Sequence, residues 1–461
     1  MTQSTTKKSL LPEPTPLYRW TVLVFISLAM FGNYYVFDSI GPVFDLLSEQ
    51  LGYTDQQLGL LYSLMSVAAI IFLLVGGYLI DRWGIRKSLL LFAAICVLGA
   101  AITASSPLFG IMASGRFIFG LGAEPLIVAV TTALAKWFKG KDLSFAFGIN
   151  LTISRLGSAS ADWSTSWARP LYDNWQDPLF LATAIGGISL AGAFLYWIME
   201  RRAEDRYQLG EAEETEKLEF KELYRFDRSY WYVVALCVVF YSTVFPFRAF
   251  AIYYFQQAHG LERDAAGLLN SLLPISAMIA TPLFGLLVDK IGKRSFFMAV
   301  GSLILLPLFL IVTYAPPGPE INVVLPFLGS AEIPLTLLAV MLLLGVSFSL
   351  IPAVMWPSVA YIVEERRLGT GYALMTLCQQ VGMALVPWLI GFTNDLVGAS
   401  ADQPELYAYG MWIFTALASL GLFFSFMLWR TERGPHAHGL ETITTKTGMD
   451  VPEQRRRRGE E

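Results

Sequence analysis

Long apolar runs alternate with short polar intervals along almost the whole chain. Twelve such runs cover approximately residues 19–45, 56–80, 88–106, 108–137, 142–168, 178–199, 229–258, 264–289, 294–314, 335–363, 369–396 and 406–430. A helix of about 20 residues crosses the hydrocarbon of a bilayer. Backbone groups in lipid must be bonded within the segment, so each run is predicted to be a transmembrane α-helix. Three polar stretches remain: 1–17, 200–228 and 431–461. The expected organisation is a cytoplasmic N-terminal segment (1–17), a bundle of six helices (18–199), a linker (200–228), a second bundle of six (229–430) and a disordered tail (431–461). Within the linker, Glu213 and Lys217 are four residues apart and Phe220, Leu223 and Tyr224 share a helical face. That pattern predicts an amphipathic helix lying on the membrane surface.

Composition agrees. Charged residues make up 15% of the chain, against roughly 25% in soluble domains. Lys and Arg decide the orientation. Arg82, Arg86, Lys87, Lys136, Lys139, Lys141, Lys290, Lys293, Arg294, Arg366 and Arg367 fall in loops on one side, with Lys7, Lys8 and Arg19. The intervals 48–57, 105–107 and 395–405 on the other side carry none. Both termini are therefore expected in the cytoplasm, in a multi-pass protein of the cell (inner or plasma) membrane, with the lysosomal membrane as the alternative. Leu10-Leu11 follows basic residues, unlike an acidic dileucine address, and no cleavable signal peptide is expected. Cys96, Cys237 and Cys378 stand alone in separate runs. His436 and His438 lack a third ligand, so no metal site is expected. No phosphate-binding loop or nucleophile–base arrangement is recognisable, and neither an enzyme, a cofactor nor a nucleic-acid partner is expected.

One loop occurs twice. Gly77-x-x-x-Asp81-Arg82-x-Gly84-x-Arg86-Lys87 returns 208 residues later as Gly285-x-x-x-Asp289-Lys290-x-Gly292-Lys293-Arg294. Each copy joins two apolar runs, so the two six-helix bundles are expected to be pseudo-symmetric repeats with a site between them. Asp at a helix end can accept bonds from a facing helix N-terminus, and the basic residues can pair across the halves. Gly77, Asp81, Arg82, Gly84, Arg86, Asp289, Lys290 and Gly292 are accordingly assigned to gating or structure. The first copy resembles motif A of the major facilitator superfamily, and Arg116-x-x-x-Gly120-x-Gly122 resembles that family's second motif. Gly115–Glu124, Trp137–Asp142, Ser154–Ser158, Trp356-Pro357 and Leu368–Tyr372 resemble the branch that includes the lysosomal dipeptide transporter. The resemblance spans residues 18–430. It implies alternating access by rocking of two six-helix bundles, and facilitated diffusion of dipeptides.

Ionisable groups at bilayer depth are costly and functional by default. Glu124 lies thirteen residues from the cytoplasmic end of its run, and Arg155 fourteen residues beyond Lys141, so both sit about 20 Å deep. Carboxylate and guanidinium at one depth on consecutive helices make a clamp for a zwitterion: Glu124 for the ammonium, Arg155 for the carboxylate in a bidentate fork. The rival is a permanent structural ion pair between them. Asp38 and Arg116 lie together in the outer third of their helices, where a structural or gating pair is expected. Asp38 also leaves proton coupling open. Arg248 is open between binding an anion and capping a carbonyl. Asn33, Tyr34, Tyr35, Asn150, Trp356, Gln379 and Gln380 are further candidates for the binding site. Pro246, Pro274, Pro352, Pro357 and Pro387 suit bending helices.

The first run reads Met30-Phe-Gly-Asn-Tyr-Tyr-Val-Phe-Asp38, without the Glu-x-x-Glu-Arg pattern of proton-coupled peptide carriers. The fifth lacks the Gly-Pro pattern of drug–proton antiporters. The expected partners are a small peptide and the bilayer, the working unit a monomer, and the mechanism uniport. An organic-anion carrier using Arg155 with Arg248 is the first alternative, a proton-coupled carrier the second, and a non-transporting receptor a more distant one.

Overall fold

The computed structural model describes residues 12–444 except 139–141, 208, 210–225, 326–328, 365–366 and 436. Twelve helices of 21 to 32 residues build the described architecture. The first half contains α1 Pro16–Asp38, a short α2 Phe44–Leu51, α3 Asp55–Trp83, α4 Ile85–Ser105, α5 Phe109–Phe138, α6 Leu143–Trp167 and α7 Gln176–Glu204. The second contains α8 Arg228–His259, α9 Arg263–Ile291, α10 Arg294–Tyr314, α11 Leu335–Ile362, α12 Leu368–Val397 and α13 Tyr407–Thr431. Among the described residues, eleven helical segments are long and apolar enough to span a membrane. The long helix outside that group is α6, which carries Asn150, Ser154, Arg155, Ser158, Asp162, Ser164 and Thr165 along its length. It tolerates this polarity because it packs against α1 in its own half and α9 in the other.

Two expectations about boundaries change. The first apolar run does not continue as helix to residue 45. Helix α1 stops at Asp38, and Gly41-Pro42 form a 3₁₀ turn before α2, since proline cannot donate the next helical bond. Between α10 and α11, where no element is predicted, β1 Glu320–Leu325 and β2 Gly329–Pro334 form an antiparallel hairpin, with Ile321 opposite Ile333 and Val323 opposite Ala331. The two copies of the repeated loop turn alike. Gly84 (φ 83°) ends α3 and Gly292 (φ 75°) ends α9, in the positive-φ region that favours glycine.

The loops rich in Lys and Arg, with the start of α1 and the end of α13, lie on one face, the basic face. On that face the segment after α13, expected to be disordered, runs back over the second half as far as Thr444. Arg294 donates to the Ile443 carbonyl (2.7 Å) and the Ser295 amide to Glu441 (3.1 Å). His438 bridges Asp227 (2.7 Å) and Glu432 (2.8 Å). Burial pushes the His438 imidazole down, but its bonds to the two carboxylates outweigh that and raise it to about 9. The predicted linker helix, Lys139, Lys141, Arg366, His436 and the last seventeen residues of the tail lie outside the described residues.

The halves meet on the opposite face, through α3 against α12 and α6 against α9. A Cβ on Gly59 would stand 2.1 Å from the Pro387 carbonyl oxygen, and one on Gly391 2.0 Å from that of Asp55. Only hydrogen side chains allow the backbones this close. The Asp395 carboxylate, at the end of α12, accepts the Asp55 amide (3.0 Å) and the Gln56 amide (2.9 Å) at the start of α3. These amides have no partner within their own helix, and the helix dipole favours an anion there. Asp55 in turn accepts from Asn394 (2.9 Å) and Tyr253 (3.0 Å).

Candidate functional site

The opposite face is closed; the basic face is open. Between the halves lies a cavity of about 970 Å³ whose lining runs from Asn33, Tyr34 and Phe37 at its inner end to Gly77, Tyr78, Asp81 and Leu143 near the basic face. Antiparallel helices place the wall. Successive turns of α5 present Glu124, Ile127, Val128 and Thr131, α6 presents Phe147 and Arg155, and α8, α11 and α12 present Tyr241, Phe245, Trp356, Thr376 and Gln379.

Of the residues singled out in the sequence, Asn33, Tyr34, Glu124, Arg155, Trp356 and Gln379 all reach this wall. Gln380 is buried next to Glu124, bringing α12 of the second half against α5 of the first. Among the described residues, Glu124 and Arg155 form no ion pair with each other or with another group. Arg155 instead lies over the rings of Tyr34 (5.8 Å) and Phe348 (5.0 Å). The permanent pair considered from the sequence is therefore not what the fold builds. A carboxylate and a guanidinium share one cavity, with no ion pair between them among the described residues. Trp356 donates to the Tyr241 hydroxyl (2.9 Å) and stacks on Tyr372 (6.1 Å), giving the second half's wall a rigid aromatic surface.

Five candidates are elsewhere. Asn150 is buried and accepts from Ser27 (3.2 Å), fastening α6 to α1. Tyr35 packs against Ala161 and Ala182 inside the first half. Arg116 does not pair with Asp38. It donates to the carbonyls of Val36 (3.2 Å), Phe37 (3.0 Å) and Leu61 (3.4 Å), because the α1 helix ends beside it and leaves carbonyls without helical partners. Asp38 pairs with Arg248. Arg248 also holds Asp162 (2.7 Å), and Asp162 takes a bond from Asn270 (2.8 Å). Arg248 thus binds two carboxylates of the first half just beyond the closed end of the cavity and is not on its wall. A second cross-half lock lies further out, where Asp45 accepts from Gln256 (3.0 Å) and the Arg263 Nε (3.0 Å). Asp162, Asn270, Asp45, Arg263 and Asp395 went unnoticed in the sequence. Asp162 had a signal, a carboxylate late in an apolar run; the others sit at run ends, where polar residues are ordinary.

The repeated loops flank the open side. Gly77 and Asp81 line the cavity. Arg82 donates to the Tyr78 hydroxyl (2.8 Å), and Arg86 pairs with Glu204 of its own half. In the second copy Asp289 pairs with Arg294 (3.0 Å) and Lys290 is exposed. These pairings stay within a half, as suits a face where the halves stand apart.

The Major Facilitator Superfamily profile matches residues 26–328 and 247–447. Among curated proteins, the lysosomal dipeptide transporter MFSD1 of Homo sapiens is 29% identical over 91% of this chain and 88% of its own length. The Danio rerio protein of the same name is 30% identical over 83% of this chain and 82% of its own. Among solved structures, a bacterial homologue of the human lysosomal transporter Spinster, in an inward-facing and unoccupied conformation, superposes with a TM-score of 0.71 at 16% identity, covering 91% of this chain and 98% of that one.

Proposed function

The chain belongs to the major facilitator superfamily, and from that premise we propose that it carries dipeptides and similarly small zwitterions across the membrane by alternating access. The observation that carries this reading is the placement of Glu124 and Arg155, a carboxylate and a guanidinium with no ion pair among the described residues, on the wall of one cavity. Glu124 takes the ammonium. Arg155 takes the carboxylate in a two-bond fork, which a point charge cannot match. A peptide offers both ends whatever its side chains, and the aromatic and apolar wall of the second half accepts variable side chains without demanding a particular one. The similarity to dipeptide transporters supports the same substrate class.

Alternation follows from the contacts. The basic face, cytoplasmic by its charge, is open. To expose the cavity on the other side, Arg248 must leave Asp38 and Asp162, Arg263 must leave Asp45, and Asp395 must leave the start of α3. A ligand that bridges the halves favours the rearrangement by its differential affinity for the states. Because Arg248 is held by two carboxylates away from the wall, an anion carrier would have Arg155 as its cation in this cavity, which favours the zwitterion. The substrate reading predicts uptake of a neutral dipeptide into liposomes down its own gradient, with no imposed proton gradient, and little uptake of its N-acetylated form. Proton-driven accumulation against the dipeptide gradient would overturn uniport. Equal uptake of both forms would overturn the zwitterion reading.

A further inference from the structure

A guanidinium deep in a membrane protein with no carboxylate partner needs some other compensation. Arg155 has it from aromatic rings of both halves: Tyr34 on α1 at 5.8 Å and Phe348 on α11 at 5.0 Å. The face of an aromatic ring attracts a cation through its quadrupole, yet makes no claim on the guanidinium's N–H donors, which lie in its plane. Phe348 is well placed to hold such a group still. It is buried, and it stacks on Phe240 (6.1 Å, interplanar 16°) and meets Phe245 edge-on (5.7 Å, 69°). Phe245 continues the line to Tyr241 (5.4 Å) on the cavity wall. The nearer of the two rings over Arg155 is thus anchored in the half that does not carry Arg155.

We propose that Phe348 is the positioning residue of the carboxylate subsite: its ring fixes the Arg155 fork, charged and with its donors free, where a peptide's carboxylate arrives. This inference rests on the zwitterion reading of the cavity. A purely packing role for Phe348, within its row of aromatic rings, makes a different prediction, because loss of packing would harm every ligand alike.

The test uses the purified full-length protein and dissociation constants for a neutral dipeptide and its C-amidated form. Phe348→Leu and Phe348→Met remove the quadrupole while keeping an apolar side chain, and Phe348→Tyr keeps the ring. The expected result is a loss of roughly threefold to thirtyfold for the free dipeptide in the Leu and Met variants. The amidated ligand should change by less than about twofold, and Phe348→Tyr should retain wild-type affinity for both. Two non-aromatic variants guard against misfolding of either one, and melting temperatures are read alongside. Equal losses on both ligands, or unchanged affinity for both, overturn the proposal while leaving the clamp intact. Failure of the clamp itself shows in the wild type, as equal affinity for free and amidated dipeptide, and removes the role of Phe348 with it.

Discussion

Replacing Gly391 by Ala should push the transporter out of the conformation open to the basic face. The added Cβ would lie 2.0 Å from the Asp55 carbonyl oxygen, 2.4 Å from its carbon and 2.7 Å from the Gln56 Cα. All three atoms are backbone, so no side chain can swing aside. Ordinary contact begins near 3.4 Å, and α12 must therefore retreat from α3 by about 1.4 Å. The bonds from the Asp55 and Gln56 amides to Asp395, now 3.0 and 2.9 Å, would stretch beyond hydrogen-bonding range. A bond to a charged group is worth about 1.5–3 kcal/mol. Asp395 is exposed, which argues for the low end, and the pair together, about 3 kcal/mol, should shift the ratio of conformations by roughly a hundredfold. Spin labels at Glu49→Cys and Glu405→Cys, exposed positions on the opposite face of the two halves, report the change as a longer distance by pulsed electron paramagnetic resonance. Gly187→Ala is the control, since its Cβ would meet nothing within 4 Å. An unchanged distance distribution in folded Gly391→Ala protein would refute the view that this backbone contact closes the opposite face.

Two further outcomes follow. Asp395 at the end of α12 binds the start of α3; by pseudo-symmetry Asp81, at the end of α3, should bind the start of α12 when the basic face closes. Asp81→Asn should then raise labelling of a cavity cysteine from the basic face, and unchanged rates would count against that gate. The tail strap should depend on pH. The His438 pKa is raised to about 9, so its contribution is fully present below the ordinary value near 6.5 and is lost as pH rises through about 9. Hydrogen-exchange protection factors of residues 437–444, taken against the intrinsic rate at each pH, should fall between pH 7 and pH 10 in the wild type and show no such step in His438→Gln.

The twelve-helix architecture was legible because membrane solvation imposes it: long apolar runs have no other way to satisfy their backbones. The polarity of α6 did not disguise it, since its run stays long between charged loops. The hairpin at 320–334 was not read, because two six-residue strands of ordinary alternation between membrane runs carry little signal. Charge at depth singles out Glu124 and Arg155, which the fold places on one cavity wall, since the cost of burying a charge is a local property of sequence. Pairing was harder. Asp38 was matched with Arg116, its neighbour within the first half, whereas the fold gives it Arg248 from the second. Which charges meet across the halves depends on the conformation, and the pattern along one chain does not encode it. Phe348 carries no signal of its own in the sequence, as one Phe between Ser347 and Ser349 in a long membrane run.

The central claim is that Glu124 and Arg155 grip the two ends of a peptide. It is tested most directly by dissociation constants for free, N-acetylated and C-amidated forms of one dipeptide on wild type, Glu124→Gln and Arg155→Lys. The account predicts at least a tenfold loss for the free dipeptide in either variant, from one charge-assisted bond of about 1.5–3 kcal/mol. Glu124→Gln should leave the acetylated ligand nearly unaffected, and Arg155→Lys should leave the amidated one nearly unaffected. Equal losses across all three ligands in both variants, accompanied by lower melting temperatures, would contradict it and make the two charges structural.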